Sequence, residues 1–598
     1  MLKGMRGLAA EMACLWAGLA ILSVPATAAA PACSQGVAAY MPCELSFDWH
    51  GNEVPPDASA YKDELLNVEF RSPHAKTYLM HAYWDGGRTL RVRFSPTEEG
   101  QWAYHVTSEI KSYNDQEGQF AVSASASPGY VAVANLRHWW TDNKQPHLWF
   151  AAEVPWLDLS QADFQSWVDA RKADGFTHIR GALLTQKSAK LAPLSSKLQP
   201  NFAYFATLDD RLLYAQSKGM VLDLMFADNS FVETGVLEDW EARQPLIAYL
   251  LSRYSALNVT WQGVESYELR VGTRAILKEI GGQLRKLDAY RHPRSSGSTG
   301  SGAGLLPDGW MTYIIEGSPH PEVGAIEHQL TTVPLIHIVN ATEPAAFRRE
   351  LWQASMSTEY PSVRYQALQN PANVTACRGW FKVISNTRHW ETEPYFDVDG
   401  GMAMGLDEAE YVLYADKPGH VEISLPKHKY QPYWLNPITG DTIDVKDYKG
   451  EIFSQDTPDA THDWVVHVQR EGHKEGLLKS FKFESQEVPV YEVETGPDKT
   501  PFAISVPAGD EIDVSKPVPY QAKLRRTTRA TRSMQYLWTG EIVAGVEGPR
   551  VLAVGSYGAF QFPLDLIQRE PAVLSLHLIA LNANGKAYML DKVVRLTK

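Results

Sequence analysis

Asn258-Val-Thr-Trp-Gln-Gly-Val-Glu-Ser-Tyr-Glu268 decides how this chain is read. Val259, Thr260 and Trp261 are β-branched or aromatic and suit a half-buried pleated position, so the first half predicts a strand. From Glu265 the strand gives way to a helix, because an amphipathic run from Val271 to Leu287 follows. A barrel of alternating strands and helices keeps its chemistry on the βα loops, where strands end. Glu265 is therefore the first catalytic candidate; the alternative is a plain helix-start acid, favoured there by the helix dipole.

Strands and helices alternate on both sides of this stretch. Residues 147–153, 176–180 and 220–226 read as strands one to three, and 292–295, 310–315, 334–339 and 357–363 as strands five to eight. Helices at 161–174, 204–218, 239–256, 271–288 and 372–387 fit between or after them, two closed by Gly175 and Gly219. Strands five and six are joined by the Gly/Ser-rich 295–307, without an evident helix. That loop reads either as a mobile flap over the active face or as a flexible surface excursion.

Residues 34–125 alternate short apolar runs with turn signals such as Asp85-Gly-Gly87, the pattern of a β-sandwich. A small-residue linker spans 123–129, and the chain is all-β again from about 400, with a second linker at 496–501. The expected fold is multidomain: a central (β/α)8 barrel at 129–398, flanked by β-sandwiches at 31–128 and 399–490 and a sandwich-like module at 491–598. In that module Lys523, Arg525, Arg526, Arg529 and Arg532 form a basic cluster, read as a solvated strand face or a grip for an acidic polymer.

The 598 residues are 44% hydrophobic and 21% charged, a globular composition, and the net charge of -14 argues against a nucleic-acid partner. A neutral glycan is not excluded, and 18 Trp and 27 Tyr suit amphipathic sugar faces. Lys3 and Arg6, an apolar stretch from Met12 to Val24 and small residues up to Ala30 have the order of a secretory signal peptide over 1–30. The expected location is secreted or periplasmic, with no transmembrane segment. Cys33 and Cys43 are then expected to form a small disulfide loop and Cys377 to be a buried thiol. No Cys/His spacing resembles a zinc site, no cofactor is expected, and nothing in the sequence fixes an oligomeric state.

A barrel between sandwiches suggests glycoside hydrolysis, which needs two carboxylates flanking the scissile bond. Glu265 supplies one, and Trp261 is expected to wall its pocket and raise its pKa. For the other, Glu343 is the nearest acid after strand seven; it reads equally as a helix N-terminal acid beside Pro344. Glu268, one turn beyond Glu265, is a candidate substrate contact, as are Glu153, Trp156, Arg180, Asp228, His320 and His337 near barrel strand ends; each also reads as a structural partner.

Four segments look like the apiosidase-like glycoside hydrolases: Asn258 to Glu265, Leu287-Asp-Ala-Tyr-Arg-His-Pro-Arg-Ser295, Ala325-Ile-Glu-His-Gln329, and Arg388-His-Trp-Glu-Thr-Glu-Pro-Tyr-Phe-Asp-Val-Asp-Gly-Gly401. Arg91-Val-Arg-Phe-Ser-Pro-Thr-Glu-Glu-Gly-Gln-Trp102 resembles the β-sandwich domain of unknown function that often precedes such barrels. The resemblance covers roughly 44–485. It implies a (β/α)8 catalytic domain, hydrolysis of a glycosidic bond in a complex glycan, no cofactor, and Glu265 as acid/base. It also implies a carboxylate at the end of strand seven, where this chain has Val339, with Glu343 four residues on. Val339 motivates a rival expectation, a carbohydrate-binding or adhesion protein on a barrel that no longer hydrolyses. A third is an assembly protein whose terminal sandwiches bind a partner.

Overall fold

The computed structural model describes residues 30–597, apart from 55–57, 135–136, 188–190, 321, 471–492, 506–510 and, in the C-terminal module, 529–530, 532–533, 544, 546–547, 561, 563–571 and 583–585. The expected signal peptide, apart from Ala30, lies outside the described residues, as do Arg529 and Arg532 of the basic cluster. No helix among the described residues is long and apolar enough to cross a membrane.

A five-stranded and a three-stranded sheet face each other in the N-terminal sandwich. Strand Leu66–Arg71 buries every second residue, as a half-buried strand must. Phe70 from one sheet stacks on Phe94 from the other, ring centroids 3.8 Å apart. Cys33 and Cys43 are joined by a disulfide at its edge.

Eight parallel strands form the barrel: β1 (Ala151–Glu153), β2 (His178–Leu184), β3 (Val221–Ala227), β4 (Val259–Val264), β5 (Arg294–Ser295), β6 (Ile314–Glu316), β7 (Leu335–Val339) and β8 (Tyr360–Val363). The ladder runs β5-β4-β3-β2-β1-β8-β7-β6, so β1 and β8 pair as ring closure requires. Between β5 and β6 there is no ladder. Thr312 bridges instead, donating its N–H to Arg294 O at 2.8 Å and accepting the Arg294 N–H on Oγ1 at 2.9 Å. Strand one is shorter than expected because His147 donates its N–H to Trp139 O, tying the hairpin Val131–Val133/Trp139–Thr141 to the barrel floor.

The outer helices are α1 (Gln161–Ala173), α2 (Phe202–Ser217), α3 (Trp240–Tyr254), α4 (Thr273–Leu287), α5 (Glu322–Leu330), α6 (Pro344–Met356) and α7 (Pro371–Ile384). Ser160 and Asp239 cap α1 and α3 through their side chains. Cys377 is a buried thiol on α7. After β4 the chain does not enter α4 directly, since a 3-10 turn (Tyr267–Leu269) comes first. Beyond the barrel an eight-stranded antiparallel sheet occupies Glu393–Arg470, and the C-terminal module holds a six-stranded and a three-stranded sheet.

Buried ions join these units. Arg93 of the first sandwich donates to Glu44 Oε1 (2.9 Å), to Arg253 O (2.8 Å) and to Asp209 Oδ2 (2.8 Å); Arg253 of α3 donates to both oxygens of Asp209 on α2. On the other side Arg348 of α6 holds Asp463, which also accepts from the Tyr414 hydroxyl at 3.0 Å.

The loop after β5 is neither a flap nor a loose excursion. Ser295, Ser296, Ser298 and Ser301 are buried, and a 3-10 turn (Ala303–Asp308) closes it. Pro549 of the C-terminal module presses on Gly304, where an added Cβ would stand 3.1 Å from its carbonyl oxygen. Ser301 donates to Glu327 of α5, at 2.6 Å and 2.8 Å, beside Glu316 at the end of β6. Both acids are buried. Burial and the neighbouring Glu327 charge push the Glu316 carboxyl well up, so the pair retains a proton that an unfolded chain would release.

Two stability outcomes are expected. Asp209→Ala leaves Arg93 and Arg253 buried without their shared carboxylate and lowers the unfolding free energy by about 3–5 kcal/mol in urea titrations at neutral pH. For Glu316 the folded pKa lies above the unfolded one, so its contribution is lost as pH rises through that interval. Glu316→Gln should therefore stabilise at pH 8, by on the order of 1 kcal/mol, and less at pH 5, as read by urea unfolding at both.

Candidate active site

A polar layer inside the barrel supports the site from below. On β4, Thr260 and Gln262 turn to Asp223 of β3: Thr260 donates to Oδ1 at 2.8 Å, and the Gln262 amide donates to Oδ2. Tyr313 also reaches Asp223 Oδ1, at 3.4 Å. Burial pushes the Asp223 carboxyl up, against Arg180 and these donors, to about 6. Gln262 Oε1 in turn accepts from Arg180 Nε (3.2 Å) and Nη2 (3.0 Å), fixing that guanidinium beneath the mouth with its Nη1 3.5 Å from Glu153 Oε1.

Above this layer a cleft of about 260 Å³ opens at the C-terminal ends of the strands. It is lined by Glu153 at the end of β1, Trp156 on the next loop, Thr185 and Lys187 after β2, Asp228 after β3, Glu265 after β4 and Tyr365 after β8. Gly181 admits the Trp156 indole, because a Cβ there would meet its Nε1 at 2.1 Å. Asp228 caps the short helical turn Asn229–Val232, accepting from Thr185 and Ser230 hydroxyls at 2.6 Å each and from the Phe231 N–H at 3.0 Å.

Arg364, the residue after β8, ties the carboxylates together. Its Nη1 donates to Glu153 Oε1 at 3.0 Å and to Glu265 Oε1 at 2.9 Å. Both oxygens share one nitrogen, so they lie no more than about 6 Å apart, within reach of the separations of roughly 5–9.5 Å used by glycosidic carboxylate pairs. The second oxygen of Glu265 accepts from the Asn229 N–H at 3.2 Å and lies 3.7 Å from Lys187 Nζ. Burial pushes the Glu265 carboxyl up, but Arg364, Lys187 and Arg180, with the Asn229 N–H, outweigh it and hold the group at about 2. Glu265 is thus an ionised carboxylate, equipped to attack or to take a proton rather than to give one.

Several expected contacts lie elsewhere. Glu343 is exposed at the start of α6 and does not line the cleft: Asn340-Ala-Thr342 carry it past the strand end, and Pro344 opens the helix behind it. Val339, where the resemblance implies a carboxylate, is fully buried. Trp261 does not wall the pocket, because it alternates with Thr260 and Gln262 and faces the helices, packing on Phe226 and donating to Asp288 at 3.2 Å. The expected rise of the Glu265 pKa is accordingly reversed.

His337, at the centre of β7, is buried between Glu350 (3.2 Å) and Glu359 (2.7 Å); burial would lower the imidazole, but these two acids hold it up at about 10. Glu268 and His320 line a separate cleft of about 350 Å³, walled also by Arg550 and Leu552 of the C-terminal module. There Glu268 accepts from Ser298, from the Thr299 N–H at 3.1 Å and from the Gly300 N–H at 3.3 Å. Arg364 and Lys187 were missed from the sequence, although Arg364 stands immediately after a barrel strand. Among the described residues no cluster of three or more His, Cys, Asp or Glu could hold a metal.

Residues 134–321 match the family model for the apiosidase-like catalytic domain, and residues 36–109 match a domain of unknown function, DUF5060. Both agree with the likenesses read from the motifs at 258–265, 287–295 and 91–102; the Ala325 to Gln329 and Arg388 to Gly401 segments lie beyond the matched residues. A structure from Bacteroides vulgatus ATCC 8482, provisionally named as a glycoside hydrolase, superposes with a TM-score of 0.63 at 16% identity, covering 73% of this chain and 99% of its own. A glycoside hydrolase family 5 structure from the same organism aligns at a TM-score of 0.49 and 12% identity, over 61% of this chain and 98% of its own. No curated protein sequence matches the chain. The fold is that of glycoside hydrolases.

The clamp has a thermodynamic signature. With its folded pKa below the unfolded one, ionised Glu265 stabilises above about pH 4.5, and that contribution is lost as pH falls toward about 2. Arg364→Met returns the carboxyl upward, so the variant should lose less stability than the wild type between pH 5 and pH 3 in urea unfolding.

Proposed function

We propose that this chain, with its apiosidase-like barrel, is a glycoside hydrolase that cleaves a glycosidic bond in a complex polysaccharide or glycan. One observation carries the reading: two carboxylates from β1 and β4 meet across Arg364 in the cleft at the barrel mouth. Glu265, held ionised, attacks the anomeric carbon or activates water on one side of the sugar. Glu153 is the carboxyl placed to serve the leaving oxygen. Arg180 orients Glu153, and Trp156 supplies an apolar wall for a sugar ring. Glu343, exposed, takes no part. The Cys33–Cys43 disulfide supports action outside the cytoplasm, in a secreted or periplasmic setting.

A second reading has its own support. Val339 leaves the end of β7 without a carboxylate, and a site that binds glycan without cleaving it would keep Trp156, Arg180 and the ionised Glu265.

Reducing-sugar release from a panel of plant and microbial polysaccharides separates the two. Hydrolysis predicts that Glu265→Gln and Glu153→Gln each lower kcat/KM by about 10²–10⁴-fold, with the folded circular-dichroism spectrum retained, while Glu343→Gln stays near wild type. Binding without release of product on any polymer would replace the first reading by the second; activity surviving in Glu265→Gln would remove that residue from the mechanism.

A further inference from the structure

On the flank of the barrel, α3 and α4 pack against the N-terminal sandwich and leave a groove of about 520 Å³, larger than the cleft at the mouth. None of its lining residues lines the Glu265 cleft. At its rim stands Trp240, in the first turn of α3 behind the Asp239 cap, and 62% exposed. No other tryptophan among the described residues is as exposed. An indole face held in water beside a groove is apolar area that a folded chain ordinarily covers, and such surfaces mark recognition sites.

The groove has the polar half of a recognition site as well. Tyr61 lines it, 8% exposed, and its hydroxyl has no hydrogen-bond partner in the protein. A buried hydroxyl left so is costly unless something from outside meets it. Gln244 and Gln283 face each other across α3 and α4, joined by a 2.7 Å hydrogen bond that leaves the Gln244 amide nitrogen and the Gln283 carbonyl oxygen for other partners. Lys62 and Lys286 are offset by Asp63, Glu64 and Glu241, so the rim carries both signs and selects neither a polyanion nor a polycation.

We propose that this groove is a secondary binding site for a neutral oligosaccharide segment, with the Trp240 ring stacked on a sugar face and the two glutamines and Tyr61 meeting sugar hydroxyls. The assignment rests on a glycan being what the barrel acts on. It holds a polymer against the flank of the barrel while the mouth engages another part of it.

The test is affinity electrophoresis of the full chain carrying Glu265→Gln, to prevent hydrolysis, in gels containing xylan, galactomannan, mixed-linkage glucan or pectin. A neutral polysaccharide is expected to retard the single variant, and adding Trp240→Ala should weaken that apparent affinity at least about tenfold, the scale of one lost aromatic stack, without changing the melting profile. Equal retardation with and without Trp240 would overturn the proposal. So would retardation by pectin alone, retardation by none, or a Trp240-dependent loss of binding to phosphatidylcholine vesicles in place of polysaccharide. Sugar release by the wild-type chain on the same polymers is scored separately, so retardation without hydrolysis counts against the catalytic reading and leaves the groove standing.

Discussion

One guanidinium placed between two carboxylates is the constraint from which the site follows. Arg364 reaches Glu153 and Glu265 only because β8 pairs with β1 and closes that side of the ring, bringing residues 153, 265 and 364 to one face. A second carboxyl within about 6 Å would otherwise favour protonation of one of the pair. The shared cation keeps Glu265 charged despite its burial, and Arg180, seated on Gln262 and Asp223, does the same for the field beneath. The chemistry open to the cleft is therefore set by interior polar residues as much as by those a substrate would touch.

How much of this could be read from the sequence depended on the kind of signal. The barrel and its flanking sandwiches were legible because strand and helix periods differ and Gly175 and Gly219 punctuate them. Glu265 was legible because it follows a strong strand directly. Arg364 was not: the strand before it reads to its true end at Val363, but the two acids that give Arg364 its role are 211 and 99 residues away. Trp261 was placed in the pocket because alternation divides a strand into two faces without saying which is inward; the partners that decide it, Asp223 for Gln262 and Asp288 for Trp261, are 39 and 27 residues away. Glu343 illustrates a different limit, since a helix-start acid and a catalytic acid look alike until the three residues before it are seen to carry it off the strand.

The units around the barrel are fastened by charge rather than by apolar area alone. Arg93 and Arg253 share Asp209, and Arg348 shares Asp463 with Tyr414. Such contacts are directional, so they fix how each sandwich sits and therefore where the flank groove and the second cleft open.

The junction of β5 and β6 carries a consequence of its own. A closed barrel has no free sheet edges, but here Thr312 and Arg294 stitch the hoop where a ladder would run. The buried serine loop leaves β5 at this junction, and Pro549 of the C-terminal module presses on that loop at Gly304. The C-terminal module thus acts as a brace across the weakest stave, so hydrogen exchange should enter the barrel there, and swapping the module for an unrelated one would unsettle the hoop before it altered the mouth.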